Sequence, residues 1–408
     1  MKRIVYREWR LQPERYWGLL AILGAVAAIA GLAVLYMEHE GHWVTGMTNE
    51  IVWGTPHIFA VFLIVAASGA LNVASIGTVF GRTAYKPLGR LSGLLALALL
   101  AGGLMVLVLD LGRPDRLLVA ATTYNFRSIF AWNIYLYTGF MAIVVAYLWS
   151  MADRKGGPYN KPMGYFAFVW RLLLTTGTGA IFGFIVARQA FDTAIMPPMF
   201  IIMSFAYGLA VFILVLIFAC RQDDRPLGDV LLFKLKNLLG VFVSAVLLMT
   251  LTYHLTKVYG AKNWGVEDFL LVGGGIYTLL FWGGWVLIGL LMPLGIVYHP
   301  VLGKDRTWIT AAAAMVVVGG LAAIYVIIIG GQAYPLQMFP GKTIIESGFH
   351  DGVQGAVASY VPSIPEILLG VGGVAVALII TAVGIRVLQF LPESLADHVV
   401  DPHIKAEA

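Results

Sequence analysis

Apolar residues come along this chain in blocks of about 20, separated by short polar segments that hold nearly all of the Lys and Arg residues. A helix of about 20 apolar residues is long enough to cross the roughly 30 Å hydrocarbon core of a bilayer. Ten blocks reach that length, and each predicts a transmembrane helix. They cover residues 17–36, 57–80, 91–111, 129–151, 165–187, 197–220, 237–257, 269–294, 308–331 and 367–388.

This pattern predicts an all-α, polytopic membrane protein, with residues 1–408 forming a single integral membrane domain. Composition supports it, because 60% of the residues are hydrophobic and 12% are charged, about half of the charged share usual in soluble domains. The first block follows a basic segment, as a signal peptide would. We expect a retained helix instead, because no small-residue cleavage pattern follows at residues 36–40.

The distribution of charge predicts how the chain lies in the membrane. Most of the 27 Lys and Arg residues fall at the two termini and in alternate loops. The positive-inside rule therefore places both termini in the cytoplasm, for a protein of the bacterial inner membrane. The net charge of +5 is thus a topology signal, and no nucleic acid partner is predicted.

Two features outside the helices narrow the possible functions. Residues 332–366 form the longest segment between blocks, on the predicted outer side, and predict a lid or a docking surface for a partner. Cys220 is the single cysteine. It excludes an internal disulfide and a cysteine-ligated iron–sulfur cluster built by this chain alone, and no metal site is predicted.

Ionisable residues close to membrane depth are costly, so each is a candidate for chemistry. His57 follows Thr55 and Pro56, which suit the first turn of a helix. A neutral imidazole there can exchange a proton with a bound hydroquinone. The alternative is an interfacial histidine bonded to a neighbouring carbonyl.

Asp110 ends the third predicted helix, where Gly112 and Pro114 stop it. An Asp110–Arg113 pair would either form a proton-carrying wall beside a quinone or serve as a structural ion pair. Arg113, Arg116 and Arg127 lie on the predicted outer side, where the positive-inside rule disfavours basic residues. They either pair with Asp110, Asp115 or lipid headgroups, or have a direct role at a functional site. A haem held between His57 and His254 is not favoured, since no second histidine pair exists.

Taken in order, these motifs resemble the NrfD/PsrC family of membrane subunits of respiratory complexes. The resemblance is carried by the segment around His57, the Asp110-Leu111-Gly112-Arg113-Pro114 turn and the Asn125-Phe126-Arg127-Ser128 segment that opens the fourth helix. The length and the ten spans resemble the longer branch, whose members serve sulfur-metabolising and hydrogenase complexes.

The resemblance implies a quinone, either menaquinone or ubiquinone, as the substrate near the periplasmic face, with no haem or iron–sulfur cluster bound by this chain. It implies a ferredoxin-like iron–sulfur partner docked on that side, with other redox subunits and possibly a cytochrome. The implied fold has two four-helix bundles, over residues 57–187 with the quinone site and over residues 197–331. Helices 17–36 and 367–388 would be peripheral.

Within that fold, His57, Asp110 and Arg113 are expected to carry the proton chemistry. The residues expected around the quinone are His57, Phe59, Phe126, Arg127, Trp132 and Arg188, and those expected on a proton path are Asp110, His254 and Glu267. The chain departs from the family at Gly54, where one member has Asn before the histidine. It also lacks a tyrosine at residues 181–184, where that member contributes one.

Two other functions stay open. Paired bundles also suit a secondary transporter, although transporters tend to have broken helices and midplane polar groups, whereas the charges here lie at predicted helix ends. A structural anchor for redox subunits, without its own quinone site, is the third possibility. The primary expectation is a subunit of a quinol oxidoreductase complex rather than a stand-alone enzyme.

Overall fold

The computed structural model describes residues 4–335 and 357–400. In these ranges ten helices are long and apolar enough to cross a membrane, which confirms the all-α, ten-span prediction. They are α1 Pro13–Glu40, α2 Thr55–Thr78, α3 Thr83–Leu109, α4 Ile129–Ala152, α5 Gly157–Gly183, α6 Met196–Gln222, α7 Asp229–Tyr259, α8 Ile276–Tyr298, α9 Arg306–Ala333 and α10 Ile364–Val387.

The helices pack as two rings of four. In the first ring α2 packs on α3, α3 on α4, α4 on α5 and α5 on α2, and α6 to α9 close in the same order. The two rings meet where α2 crosses α6. A Cβ on Gly69 would lie 1.6 Å from the carbonyl oxygen of Ser204, so only glycine allows this approach.

Helix α10 lies directly on the first ring, and α1 lies outside α10. A Cβ on Gly102 of α3 would be 2.3 Å from the carbonyl oxygen of Gly373, so the backbones of α3 and α10 touch there. α10 also packs against α2, where Gly370 faces the ring of Phe59. The last helix therefore borders the same bundle as the predicted site.

The eighth span begins later than the sequence predicted, at Ile276 instead of residue 269. A short helix, Trp264–Asp268, is followed by one π-helical turn, Phe269–Gly273. Gly275 then has a φ of +59°, which glycine adopts without strain. This stretch is as apolar as a membrane helix, but its glycines allow the backbone to turn before the transmembrane helix begins.

The helix ends define two faces of the molecule. We call the end that carries the start of α2, the end of α3, the end of α7 and the start of α10 the His57 face. On the opposite face Tyr6–Arg7 pairs antiparallel with Leu391–Pro392, so the two termini meet there. Of the predicted outer segment, residues 336–356 lie outside the described residues, and its flanks lie at the His57 face.

Candidate functional site

His57 and Asp110 meet at the His57 face. His57 is the third residue of α2 and Asp110 follows the last residue of α3, so the antiparallel packing of these helices joins them. The His57 Nδ1 atom lies 2.8 Å from Asp110 Oδ2. The Asp110 side chain is 0% exposed and that of His57 is 17% exposed. The pair is therefore closed on the carboxylate side and partly open on the imidazole side.

The Asp110 carboxylate keeps free hydrogen-bonding capacity. Within the described residues the contact with His57 is close enough for an ion pair but is not aligned as a hydrogen bond, and neither oxygen of Asp110 accepts one elsewhere. A buried carboxylate is costly unless it is paired or hydrogen-bonded. His57 is consequently the residue within ion-pair distance of this buried carboxyl group in the described part of the chain.

Arg113 does not supply that compensation, contrary to the expected Asp110–Arg113 pair. Its guanidinium Nη2 lies 2.9 Å from Asp115 Oδ2, with both side chains well exposed. The hydrogen bond from Arg113 holds the pKa of Asp115 below its usual value. The turn after α3 thus directs Arg113 towards its near neighbour, which local chain geometry favours over the buried Asp110.

Trp53 forms the aromatic wall beside His57, a role for which it was not singled out from the sequence. Its ring centroid is 6.3 Å from that of His57, and it also contacts Phe130, Phe182 and Phe191 at 5.9, 5.6 and 6.4 Å. These three phenylalanines come from α4, from α5 and from the loop before α6. One feature of the sequence indicated that Trp53 lies beside His57, which is its position four residues before the histidine.

Gln332 at the end of α9 holds the segment that carries Trp53. Its Oε1 accepts the N–H groups of Val52 and Trp53 at 3.0 and 3.1 Å, and its Nε2 donates to the Trp53 carbonyl at 3.0 Å. Arg188 donates to the carbonyls of Gln332 and Glu50, at 2.7 and 2.6 Å. Arg188, which the sequence predicted at the quinone, therefore holds the segment that precedes α2.

The aromatic residues predicted at the start of α4 lie in a cluster of their own. Phe126 is 73% exposed and Trp132 is 45% exposed, and Trp132 Nε1 donates to the Phe126 carbonyl. Both rings contact that of Tyr124, which also contacts Tyr135, and Arg127 is exposed beside them. Contact of Phe126, Arg127 and Trp132 with a quinone stays a prediction, as does that of Phe59, which packs against α10.

The second bundle carries another histidine–carboxylate pair on the same face. His254 Nδ1 and Glu267 Oε2 form a hydrogen bond of 2.7 Å, and both residues are buried. The rings of Tyr253 and Phe281 each lie 4.7 Å from the imidazole, which they enclose. Lys257, one turn further along α7, is also buried.

The loop between α5 and α6 connects the two pairs. Tyr253 donates to the Ala190 carbonyl at 2.6 Å, and Lys257 donates to the carbonyls of Gln189 and Asp192. The neighbouring Phe191 packs on Trp53, which in turn contacts His57. A continuous line of packed groups therefore runs from one histidine to the other.

Arg171 is a buried charge that the sequence interpretation did not select. It lies in the interior of α5, is 0% exposed, and donates to Asn72 Oδ1 at 2.9 Å. The rings of Phe168 and Phe205 flank the guanidinium at 4.8 Å, while its Nε and Nη1 atoms have no partner among the described residues. The charges are consequently not confined to helix ends. The position of this arginine inside an apolar block is the sequence feature that could have identified it as a candidate.

Tyr360 and Glu366 were also missed, although they lie close to the start of α2. The Tyr360 hydroxyl contacts Thr55 and Glu366, and Glu366 is fully buried. Both come from a part of the chain distant in sequence from His57, so spacing gave no sign of them. In residues 4–335 and 357–400, no three His, Cys, Asp or Glu residues lie together as a metal site requires.

Known proteins resemble this chain over most of its length. The family model "Polysulphide reductase, NrfD" matches residues 43–335. The chain is 29% identical to the Hdr-like menaquinol oxidoreductase integral membrane subunit of Archaeoglobus fulgidus, over 95% of this chain and 96% of that protein.

Two further relatives differ in how much of the chain they cover. Identity is 22% to the integral membrane subunit of menaquinone reductase from Nitratidesulfovibrio vulgaris, over 92% of this chain and 89% of that protein. Identity is 24% to the protein NrfD of Escherichia coli, over 70% of this chain and 96% of that protein. The shorter protein NrfD is thus matched over nearly its whole length by part of this chain.

Proposed function

Because the chain belongs to the polysulphide reductase NrfD family, we propose that it is the quinone-reactive subunit of a multi-protein electron-transfer complex in respiration or sulfur metabolism. It is a multi-pass integral membrane protein, with ten membrane-spanning helices within residues 4–335 and 357–400. Its relatives from A. fulgidus and N. vulgaris are named for menaquinol and menaquinone, which supports a quinone as the substrate here. Menaquinone and ubiquinone both fit the proposal.

The observation that carries the proposal is the pairing of a partly open His57 with a closed Asp110. Oxidation of a quinol releases two electrons and two protons and leaves the quinone. Neutral His57 accepts one of these protons on Nε2, because Nδ1 faces Asp110, and the second proton is released to water at the His57 face. The carboxylate then stabilises the imidazolium, and quinone reduction runs the same steps in reverse.

The electrons pass to an iron–sulfur cluster of a ferredoxin-like partner docked at the His57 face, which in this proposal is the periplasmic face. Arg113, Phe126 and Arg127 are exposed there, available to the partner or to lipid headgroups. Both termini then lie in the cytoplasm. The His254–Glu267 pair, on the same face, is assigned with Asp110 to the path by which protons leave.

A secondary transporter is the second candidate, and two observations favour it. Arg171 is a charged residue in the interior of a membrane-spanning helix, and Gly275 interrupts the helical backbone just before α8. Proteoliposomes that hold the protein without redox partners test this function. Uptake of a solute into them would favour transport over quinone chemistry.

The decisive test compares His57→Ala with wild type in the purified complex, using fluorescence of a quinol analogue and quinone turnover. We expect loss of turnover by about 100-fold or more, since a positioned general acid–base contributes roughly 10²–10⁴-fold. His39→Ala is the matched control, because His39 is an exposed histidine near the end of α1. Unchanged analogue binding and turnover in His57→Ala would reject the site.

A further inference from the structure

A buried polar cluster from the far end of the chain sits on the first turn of α2. We define the Tyr360–Glu366 dyad as these two side chains, joined by a 2.8 Å hydrogen bond from the Tyr360 hydroxyl to Glu366 Oε1. The other carboxylate oxygen accepts the N–H groups of Gly46 and Ser363, both at 2.8 Å. Glu366 therefore accepts three hydrogen bonds while fully buried.

The arrangement of protons in the dyad follows from its partners. The Tyr360 oxygen accepts the Thr55 N–H at 2.6 Å and contacts Thr55 Oγ1 at 2.9 Å. Because the single Tyr360 proton is donated to Glu366, the Thr55 hydroxyl must be the donor to Tyr360. Burial raises the pKa of Tyr360, so the phenol keeps its proton at working pH.

Glu366 is held by hydrogen bonds and by helix ends. In the described part of the chain no Lys, Arg or His forms an ion pair with it. Its carboxyl group accepts the three hydrogen bonds and lies at the N-termini of α2 and α10, whose dipoles favour a negative group. Capping of α10 explains the bond from Ser363, but not those from Gly46 and Tyr360, which reach across to the segment before His57.

Gly54 shows that the start of α2 is fitted to this dyad. A Cβ at Gly54 would lie 2.3 Å from Glu366 Oε1 and 2.8 Å from the Tyr360 hydroxyl. Any other residue would have to displace the dyad. The Gly54 carbonyl accepts the His57 N–H at 3.2 Å, so this turn links the dyad to His57 through three residues of backbone.

The dyad lies outside the part of the chain that the family model matches, residues 43–335. We propose that Tyr360 and Glu366 are positioning residues for His57: they fix the first turn of α2 and, through it, the orientation of the imidazole against Asp110. This inference rests on the proposed quinone function. α10 then serves the site of the first bundle rather than only covering it.

Tyr360→Phe in the intact complex tests the proposal, with kcat and KM for a soluble quinone analogue as the readout. We expect kcat to fall about tenfold and KM to change less than about threefold, because small misplacement of a reacting group slows the chemical step. Glu366→Gln should give the same split. Tyr334→Phe is the control, since Tyr334 flanks the same outer segment and packs on Phe269.

The same substitutions in an Asp110→Asn background separate positioning from general damage. If the dyad acts through the His57–Asp110 pair, Tyr360→Phe adds less than about twofold to the loss in kcat there, because coupled residues are not additive. A full additional tenfold loss would show damage unrelated to the pair and would overturn the inference. So would wild-type kcat in both Tyr360→Phe and Glu366→Gln.

These outcomes distinguish the two proposals. If His57→Ala and Asp110→Asn are slow while the dyad variants turn over like wild type, the positioning role fails and the quinone site stands. If His57→Ala and Asp110→Asn also turn over like wild type, the site and the positioning role fail together. Thermal unfolding of each variant in detergent identifies any variant that is simply misfolded.

Discussion

The two bundles each present a histidine–carboxylate pair on one face, and the pairs are built differently. His254 and Glu267 form a regular 2.7 Å hydrogen bond inside a shell of aromatic rings. His57 and Asp110 are nearly as close, at 2.8 Å, but are not aligned as a hydrogen bond, and the imidazole is partly open. The His254 side chain is 10% exposed and that of His57 is 17% exposed, and His254 Nε2 and Glu267 Oε1 are buried without a hydrogen-bond partner in the described residues. The more open His57 is therefore the imidazole better placed to exchange a proton with a ligand.

The surrounding charges sharpen this difference. Glu267 has two basic residues nearby, the paired His254 and the buried Lys257. Among the described residues, His57 is the basic residue that lies within ion-pair distance of Asp110, because Arg113 is directed to Asp115. Asp110 therefore depends on one histidine for pairing, whereas Glu267 has a second basic residue close by.

Among the substitutions that compare the two pairs, Asp110→Asn is expected to have the largest effect on quinone turnover. Without the carboxylate the imidazolium loses its stabilising charge, and turnover should fall about 100-fold, at the low end of acid–base contributions. Glu267→Gln should cost no more than about tenfold, because Lys257 remains. Steady-state turnover of both complexes checks this. Equal losses of turnover in the two variants would mean that the two pairs do not have different roles in the reaction.

Stability should show the opposite order. Glu267→Ala leaves His254 buried without its carboxylate, and breaking a buried pair costs roughly 3–5 kcal/mol. Asp110→Ala should cost less, since it removes no aligned hydrogen bond and leaves His57 partly exposed. Unfolding of the two variants in detergent gives the comparison. A less stable Asp110→Ala would contradict it.

Gln332→Ala tests whether the second bundle supports the first site. The substitution removes four hydrogen bonds, three of them to the partly buried backbone of Val52 and Trp53, and each such bond contributes about 0.5–1.5 kcal/mol. We expect lower stability together with a several-fold loss of turnover as Trp53 loosens. Thr278→Ala is a control within the second bundle. Turnover unchanged in Gln332→Ala would show that Trp53 is held by its other contacts.

The smallest effect is expected for Arg113→Ala, although the sequence placed Arg113 with the catalytic residues. Its pair with Asp115 is exposed to solvent, where ion pairs contribute little to stability, and it is turned from Asp110. Turnover should change by less than about threefold, and less still in high salt, where surface pairs are screened. A loss as large as that of Asp110→Asn would mean that Arg113 turns to Asp110 during the reaction.

Much of the site was predictable as a set of residues but not as a set of contacts. His57 and Asp110 were selected because charged groups near membrane depth are rare, and the structure joins them. His254 and Glu267 were selected for the same reason and also meet. Tyr360 and Glu366 were not selected, because nothing in the local pattern marks which distant segment packs on the start of α2. Trp53 was also not selected, although its position four residues before His57 could have indicated it.

The sequence alone determined the ten spans and their all-α class, because a bilayer admits only helices or closed barrels and each span must be apolar along its whole length. The tertiary structure alone decided that Arg113 faces Asp115, that Arg171 is enclosed, and that α10 brings Glu366 to Gly54. Those outcomes depend on helix contacts between residues far apart in the chain, where a shift of one turn changes every partner.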